Sequence, residues 1–166
     1  MNIIKPSGLK RGNTIGIIAT CGGIEKEDKI SVERAVRFFE AEGFNVVVSN
    51  DIYEKDRYLA GSDDLRLKNL HEFFENKEID AIICLRGGYG AIRLVEKIDY
   101  EIIKKNPKIF CGFSDVTALN LMFYKRAGLI SYSGPMIMSD FGIENPSEFT
   151  IQEFIKAADG KSYELY

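Results

Sequence analysis

Hydrophobic positions along this chain fall into two recurring patterns. Short, nearly continuous apolar runs occupy Thr14 to Ala19, Phe44 to Val48, Ile79 to Leu85 and Lys108 to Phe113. Runs of that length bounded by glycine, proline and polar residues predict buried strands. Between them, apolar side chains recur at three- and four-residue spacing. Glu27 to Glu42 places Ile30, Ala35, Val36, Phe38 and Phe39 mostly on one helical face, and Gly43 ends that helix. Ser62 or Asp63 caps a second helix carrying Leu67, Leu70 and Phe74. Ala91 to Lys97 and Tyr100 to Lys105 read as short helices, with Pro107 closing the region. A further helix is predicted over Asp115 to Ala127, stopped by Gly128, followed by a short fifth strand over Leu129 to Ser133. Pro146 or Ser147 opens a last helix through Phe149, Ile151, Phe154, Ile155 and Ala158, ended by Gly160.

Strands alternating with helices build βαβ units and a mainly parallel sheet, and apolar strands imply helices on both faces. The predicted fold is α/β, a three-layer sandwich with a doubly wound sheet, flavodoxin-like or class I glutamine amidotransferase-like. Residues 1–145 form its body, and residues 146–166 a terminal helix and linker with nothing after them to cover Phe149, Phe154, Ile155 and Tyr166. An uncovered apolar surface of that kind favours self-association, most simply a two-fold dimer. Ligands of such sheets bind beyond the carboxyl ends of the strands. Three unusual segments fall there: Cys21-Gly22-Gly23, Arg86 to Gly90, and Gly112 to Asp115.

Composition narrows the function. The 166 residues are 45% hydrophobic and 28% charged, ordinary for one folded domain. With 22 basic against 25 acidic residues there is no electrostatic footprint for nucleic acid or an anionic membrane. No apolar run is long enough to span a bilayer, and the start of the chain lacks the features of a signal peptide. Cys21, Cys84 and Cys111 are odd in number and form no C-x-x-C, which points to buried thiols in a reduced, cytoplasmic protein. One histidine makes a zinc site improbable. Neither metal nor cofactor is expected: Gly16, Gly22 and Gly23 miss the dinucleotide spacing, and no G-K-[ST] occurs.

Gly112-Phe113-Ser114-Asp115 joins an apolar strand to a helix, the context of a nucleophile elbow. Such a turn lifts the serine oxygen off the sheet and aims the N–H of Asp115 at the same space. Equally, Ser114 or Asp115 serves only as a helix cap; Val116 stands where the usual elbow has glycine. In Arg86-Gly87-Gly88-Tyr89-Gly90, Gly87 or Gly88 can supply a second oxyanion donor, or the segment is a plain turn. Arg86 either grips a substrate carboxylate or pairs with a surface acid. His71 sits in mid-helix, away from the strand ends, so a structural role is expected and no Ser-His-acid triad assembles within the chain.

At these residues the sequence resembles the N-terminal half of the LD-carboxypeptidase family, which includes the microcin-immunity hydrolases. The resemblance runs through Lys5 to Leu9, Tyr58 to Asp63 with Arg66, Arg86 to Gly90, Gly112 to Leu119, and Gly134 to Met136. It implies a metal-free cytoplasmic serine peptidase that releases terminal D-alanine from wall tetrapeptides by cutting an L,D-peptide bond. Hydrolysis of peptidyl- or aminoacyl-nucleotide conjugates, or muropeptide binding without turnover, are the alternatives. By the resemblance Ser114 is the nucleophile, and Asp115 with Arg86, Gly87, Gly88 and Tyr89 forms the oxyanion and substrate loop. The partner glutamate and histidine are then expected from a second, C-terminal domain. Asn120 and Ser133 stand where the family often has histidine.

Overall fold

The computed structural model describes residues 2–161. Four strands, β1 (Thr14–Ile18), β2 (Asn45–Val48), β3 (Ala81–Cys84) and β4 (Ile109–Cys111), form one sheet in the order β2-β1-β3-β4. All three pairings are parallel, with Ile15 opposite both Val46 and Ala81, and Ile82 opposite Phe110. Side chains of a strand alternate between faces, and the core divides accordingly. Ile15, Ile17, Ala81, Ile83, Ile109 and Cys111 face one layer, with Val32, Ala35, Phe39, Phe141 and Phe154. Ile18, Ile82, Cys84 and Phe110 face the other, with Leu70, Phe74, Ile103, Leu119 and Phe123. The three-layer α/β sandwich expected from the sequence is therefore present.

On the first face lie helix α1 (Lys29–Ala41) and, at the end of the described chain, the helix over Glu148–Ala158. On the second lie α2 (Asp63–Glu75), α3 (Tyr100–Lys105) and α4 (Thr117–Met122). The last helix is α5. The caps are local and legible: the hydroxyl of Ser62 accepts from Leu65 N at 3.2 Å and that of Ser147 from Thr150 N at 3.3 Å. Gly43, at φ +88, ends the turn after α1.

Two expectations need correction. The predicted fifth strand over Leu129 to Ser133 does not form as a strand. Leu129 pairs with Ile4, and Tyr132 alone reaches β4, donating to Phe110 O at 2.8 Å and accepting from Gly112 N at 3.1 Å. Each contact is a single bridge that the neighbouring residues do not extend into a ladder. The second correction concerns α5, whose Phe154 is buried against Phe141, with ring centroids 5.3 Å apart, while Ile155 packs against the same core. The chain start clasps the helix end: Leu9 N donates to Ala158 O at 2.7 Å and Lys5 Nζ to Gly160 O at 2.8 Å. Phe149 is the exposed aromatic of this helix, and Tyr166 lies outside the described residues.

His71 has the structural role expected of it. Its Nε2 accepts from Asp99 N at 3.0 Å, at the start of α3. Burial holds its pKa below the ordinary 6.5, against the opposing pull of Asp99 and Glu75. The unfolded chain therefore takes up the proton first as the pH falls. Stability from this group is complete above pH 6.5 and is lost as the pH drops towards the lower folded value. In urea titrations at about pH 7.5 and about pH 5.5, His71→Gln is expected to show a smaller loss between the two conditions than the parent. An equal loss would show that other groups set the slope.

Candidate active site

The chain order reverses between β1 and β3, since β2 lies on one side of β1 and β3 and β4 on the other. Such a switch point opens a crevice at the carboxyl ends of the two strands. Two loops meet there. Gly22, beyond β1, donates its N–H to Gly87 O, beyond β3, at 3.0 Å. The loops approach so closely that a Cβ on Gly88, at φ +118, would stand 3.2 Å from Gly22 Cα.

Ser114 lies just past β4, exposed, at φ +60. Only it and Arg57 among the described non-glycine residues have positive φ. The left-handed region costs an L-residue roughly 1–2 kcal/mol, and strain of that kind concentrates at functional positions. A short 3₁₀ turn over Ser114–Val116 leads directly into α4. The first N–H groups of a helical segment have no partner within it, so that of Asp115 is one the turn leaves over. The Asp115 side chain has a different task from its backbone: Oδ2 accepts from Ala91 N at 2.9 Å, tying the Arg86–Gly90 loop to the serine turn. Beneath, the buried Asn120 donates Nδ2 to Gly112 O at 2.8 Å, while its Oδ1 has no partner. Ser133 is exposed.

Gly87 packs over the serine. A Cβ there would come within 3.0 Å of Ser114 Cβ and 3.2 Å of its Oγ. The cleft beside the hydroxyl, about 410 Å³, is lined by Arg86, Gly87, Gly88, Phe113, Ser114 and Met138, among others. A neighbouring cleft of about 410 Å³ shares Arg86 and Gly88 and extends over Gly22 and Gly23 to Arg57 and the Tyr58–Tyr89 pair, whose rings meet edge-on at 6.1 Å. Volume alone does not single these out, because another cavity of about 410 Å³ lies at the opposite end of the sheet around Lys77 and Lys108. There the cations serve helix ends: buried Lys108 donates to Phe73 O at 3.0 Å and Asn76 O at 2.5 Å, where α2 stops. Burial, then the Lys77 ammonium, push the Lys108 pKa down to about 8.

The fold brings Arg86, Gly87, Gly88 and Asp115 to Ser114, with Tyr89 in the adjoining cleft. Nothing in the sequence pointed to Arg57, nor to why Arg66 matters. Arg66 is completely buried, donating Nη1 to Thr20 O at 2.6 Å and Gly90 O at 3.0 Å, and Nη2 to Asp63 Oδ1 at 2.5 Å. It thus fixes the ends of both loops. Hydrogen bonding from Arg93, ahead of that from Arg66, holds the Asp63 carboxyl below the ordinary carboxylate range despite its burial. Cys21, Cys84 and Cys111 are buried free thiols, and burial raises the pKa of each. Among the described residues, no group of three or more His, Cys, Asp or Glu side chains is placed to hold a metal ion, and no helix is long and apolar enough to cross a membrane.

A parallel, doubly wound sheet with an exposed serine at the start of a helix beyond a strand end defines an α/β domain built to place chemistry at its carboxyl edge. Residues 15–134 match the family model of the LD-carboxypeptidase N-terminal domain. The chain belongs to the LD-carboxypeptidase family. It is 37% identical over 146 residues to the probable murein peptide carboxypeptidase of Bacillus subtilis, covering 88% of this chain and 45% of the relative. The microcin C7 self-immunity protein in complex with glutamyl sulfamoyl guanosine superposes with a TM-score of 0.90 at 30% identity, covering 97% of this chain and 50% of that one. The muramoyltetrapeptide carboxypeptidase of Oxalobacter formigenes superposes at 0.78 and 32% identity, over 87% and 47% of the two chains. The chain thus spans about half the length of the relatives it matches.

Proposed function

We propose that the protein is a serine carboxypeptidase that releases a terminal D-alanine from cytoplasmic wall tetrapeptides, with Ser114 as nucleophile. The observation that carries this is the exposed Ser114 at φ +60, beyond β4 and beneath Gly87. A solved microcin C7 self-immunity protein bearing alanine in place of an active-site serine, asparagine and lysine shares this fold at a TM-score of 0.90, which supports a serine at the centre. In the first step Ser114 Oγ bonds to the scissile carbonyl carbon while its proton passes to a base. The C–N bond then breaks and the leaving amine takes that proton. Water next cleaves the ester and restores the Ser114 hydroxyl. The charge on the tetrahedral oxygen is held by the N–H of Asp115 and by that of Gly88. Gly88 is favoured over Gly87 because a trans peptide points its N–H away from its C=O, and the Gly87 carbonyl is turned towards Gly22.

The base belongs, in this reading, to a second domain. Residues 1–145 form the nucleophile domain and residues 146–166 the terminal helix and linker leading towards it. A two-fold dimer is part of the proposal, and sedimentation at micromolar concentration tests it. The 166-residue chain alone is expected to release D-alanine slowly or not at all; robust release would place the base within it. The decisive assay is D-alanine release from wall tetrapeptide by the protein joined to such a domain, and no release there would refute the reading. Aminoacyl-nucleotide conjugates are the second candidate substrate, favoured by the self-immunity protein's complexes with sulfamoyl nucleosides.

A further inference from the structure

We propose that Arg57 and Arg86 form an oxyanion subsite that grips the terminal carboxylate of the substrate peptide. The proposal deepens the carboxypeptidase reading and rests on it. Asp56 and Leu59 exchange both backbone hydrogen bonds, each at 3.0 Å, so Arg57 and Tyr58 are the two-residue tip of a hairpin. Arg57 is the first tip residue and has φ +57. Two-residue hairpins give a positive φ at that place to glycine, asparagine or aspartate. An arginine there keeps strain that a glycine would relieve, which points to a use for its side chain.

The rest of the tip fixes where that side chain works. Gly23 N donates to Tyr58 O at 3.0 Å, which seats the hairpin over the end of β1, at the switch point. Arg57 and Arg86 line the same cleft. Neither has an ion pair or a side-chain hydrogen bond among the described residues. The third cation of the cleft, Lys55, is already paired with Glu25. Arg86 lies across bare backbone: a Cβ on Gly22 would come 3.4 Å from its Nε. The one carboxylate lining this cleft among the described residues, Glu25, is taken up by Lys55, which leaves two unpaired arginines on a glycine-floored space, and guanidinium is the side chain best shaped for a carboxylate.

Position selects which anion. Arg86 and Gly88 line both this cleft and the one holding Ser114. The subsite is thus immediately beside the reacting carbon. One residue spans at most about 3.6 Å, and in a carboxypeptidase substrate the single residue beyond the scissile bond ends in a carboxylate. The anionic sulfamoyl group of an aminoacyl-nucleoside conjugate would sit beside the same carbon, so the chemistry recognised is an oxyanion on the leaving side.

The test uses binding to the Ser114→Ala protein, which separates recognition from turnover. Calorimetry compares a D-alanine-ended tetrapeptide, the same peptide ending in carboxamide, and an aminoacyl sulfamoyl nucleoside. The acid is expected to bind tighter than the amide by roughly tenfold to a hundredfold, the range of charge-assisted hydrogen bonds. Adding Arg57→Gly, which suits the turn, should remove that preference while leaving the amide's affinity unchanged. Arg57→Lys should restore part of it. Loss of sulfamoyl nucleoside binding in Arg57→Gly would extend the subsite to that anion; retained binding confines it to the peptide carboxylate. Equal affinity for acid and amide, no saturable binding of the acid, or an acid preference that survives Arg57→Gly each overturns the inference. D-alanine release by the protein joined to its second domain independently tests the catalytic reading.

Discussion

Replacing Ser114 with glycine is expected to abolish hydrolysis and stabilise the protein in the same step. The hydroxyl is the proposed nucleophile, and loss of a triad serine lowers kcat by roughly four to six orders of magnitude. The backbone at Ser114 is at φ +60, where an L-residue is strained by roughly 1–2 kcal/mol and glycine is not. Glycine returns part of that gain through its larger unfolded-state entropy, roughly 0.5–1 kcal/mol. A net rise of up to about 1 kcal/mol remains. Ser114→Ala supplies the contrast, being equally inactive with the strain kept. Urea titrations on the three chains, and peptidase assays on the same three joined to the second domain, decide the matter. A glycine variant less stable than the alanine one would mean that the turn is not strained, and an active alanine variant would remove Ser114 from the chemistry.

Arg66→Met is expected to cause the largest loss of stability of any single side-chain change around the site, roughly 1–3 kcal/mol. Methionine fills much of the space but leaves the buried Thr20 carbonyl without its donor, and the Gly90 carbonyl with Arg93 N alone, at 3.2 Å. Asp63 keeps Arg93 and Lys97, so the lost charge is not the main term. The orphaned acceptor on Thr20 is. Arg93→Ala makes the comparison, because its side chain is 55% exposed and its ion pair with Asp63 is screened by solvent. Its effect should be a small fraction of that of Arg66→Met. Similar losses in urea midpoint from both would place the stability in the surface ion pairs rather than in the buried clamp. Because Gly90 ends the loop that packs on Ser114, Arg66→Met should also reduce activity in the fraction that stays folded.

These two residues show what a linear sequence discloses and what it hides. Strands β1, β3 and β4 were readable because helices cover both faces and each is an unbroken apolar run; β2, at the edge with Asn45 and Val47 exposed, was readable from its run of valines. The caps at Ser62 and Ser147 and the stop at Gly43 were readable because capping is settled within a few residues. Ser114 and the Arg86–Gly90 loop stood out because glycines and polar residues interrupt apolar runs at strand ends. Arg66 was recognisable only as part of a motif, since its burial depends on Thr20 and Gly90, which are far away in sequence. Arg57 was missed altogether, because a positive φ at an arginine breaks the residue preference from which turns are read. The fifth strand was over-read, since nothing in Leu129 to Ser133 says that it will meet Ile4 and β4 through single bridges only.

The three buried thiols make the sheet a recorder of its own opening. Cys84 and Cys111 lie on the adjacent strands β3 and β4, and Cys21 just beyond β1, where its carbonyl accepts from Ala60 N at 3.0 Å beneath the Tyr58 hairpin. With the thiol pKa raised by burial, none reacts with an alkylating reagent until its part of the structure opens. Cys84 and Cys111 therefore label only through openings of the sheet, and where reclosing outpaces the reagent their labelling rate gives the free energy of that opening without denaturant. Cys21 reports the loops at the switch point, so the interval between its labelling and theirs measures how far the site breathes while the sheet stays closed. A ligand bridging Arg57 and Arg86 would lengthen the Cys21 clock while leaving the other two almost unchanged.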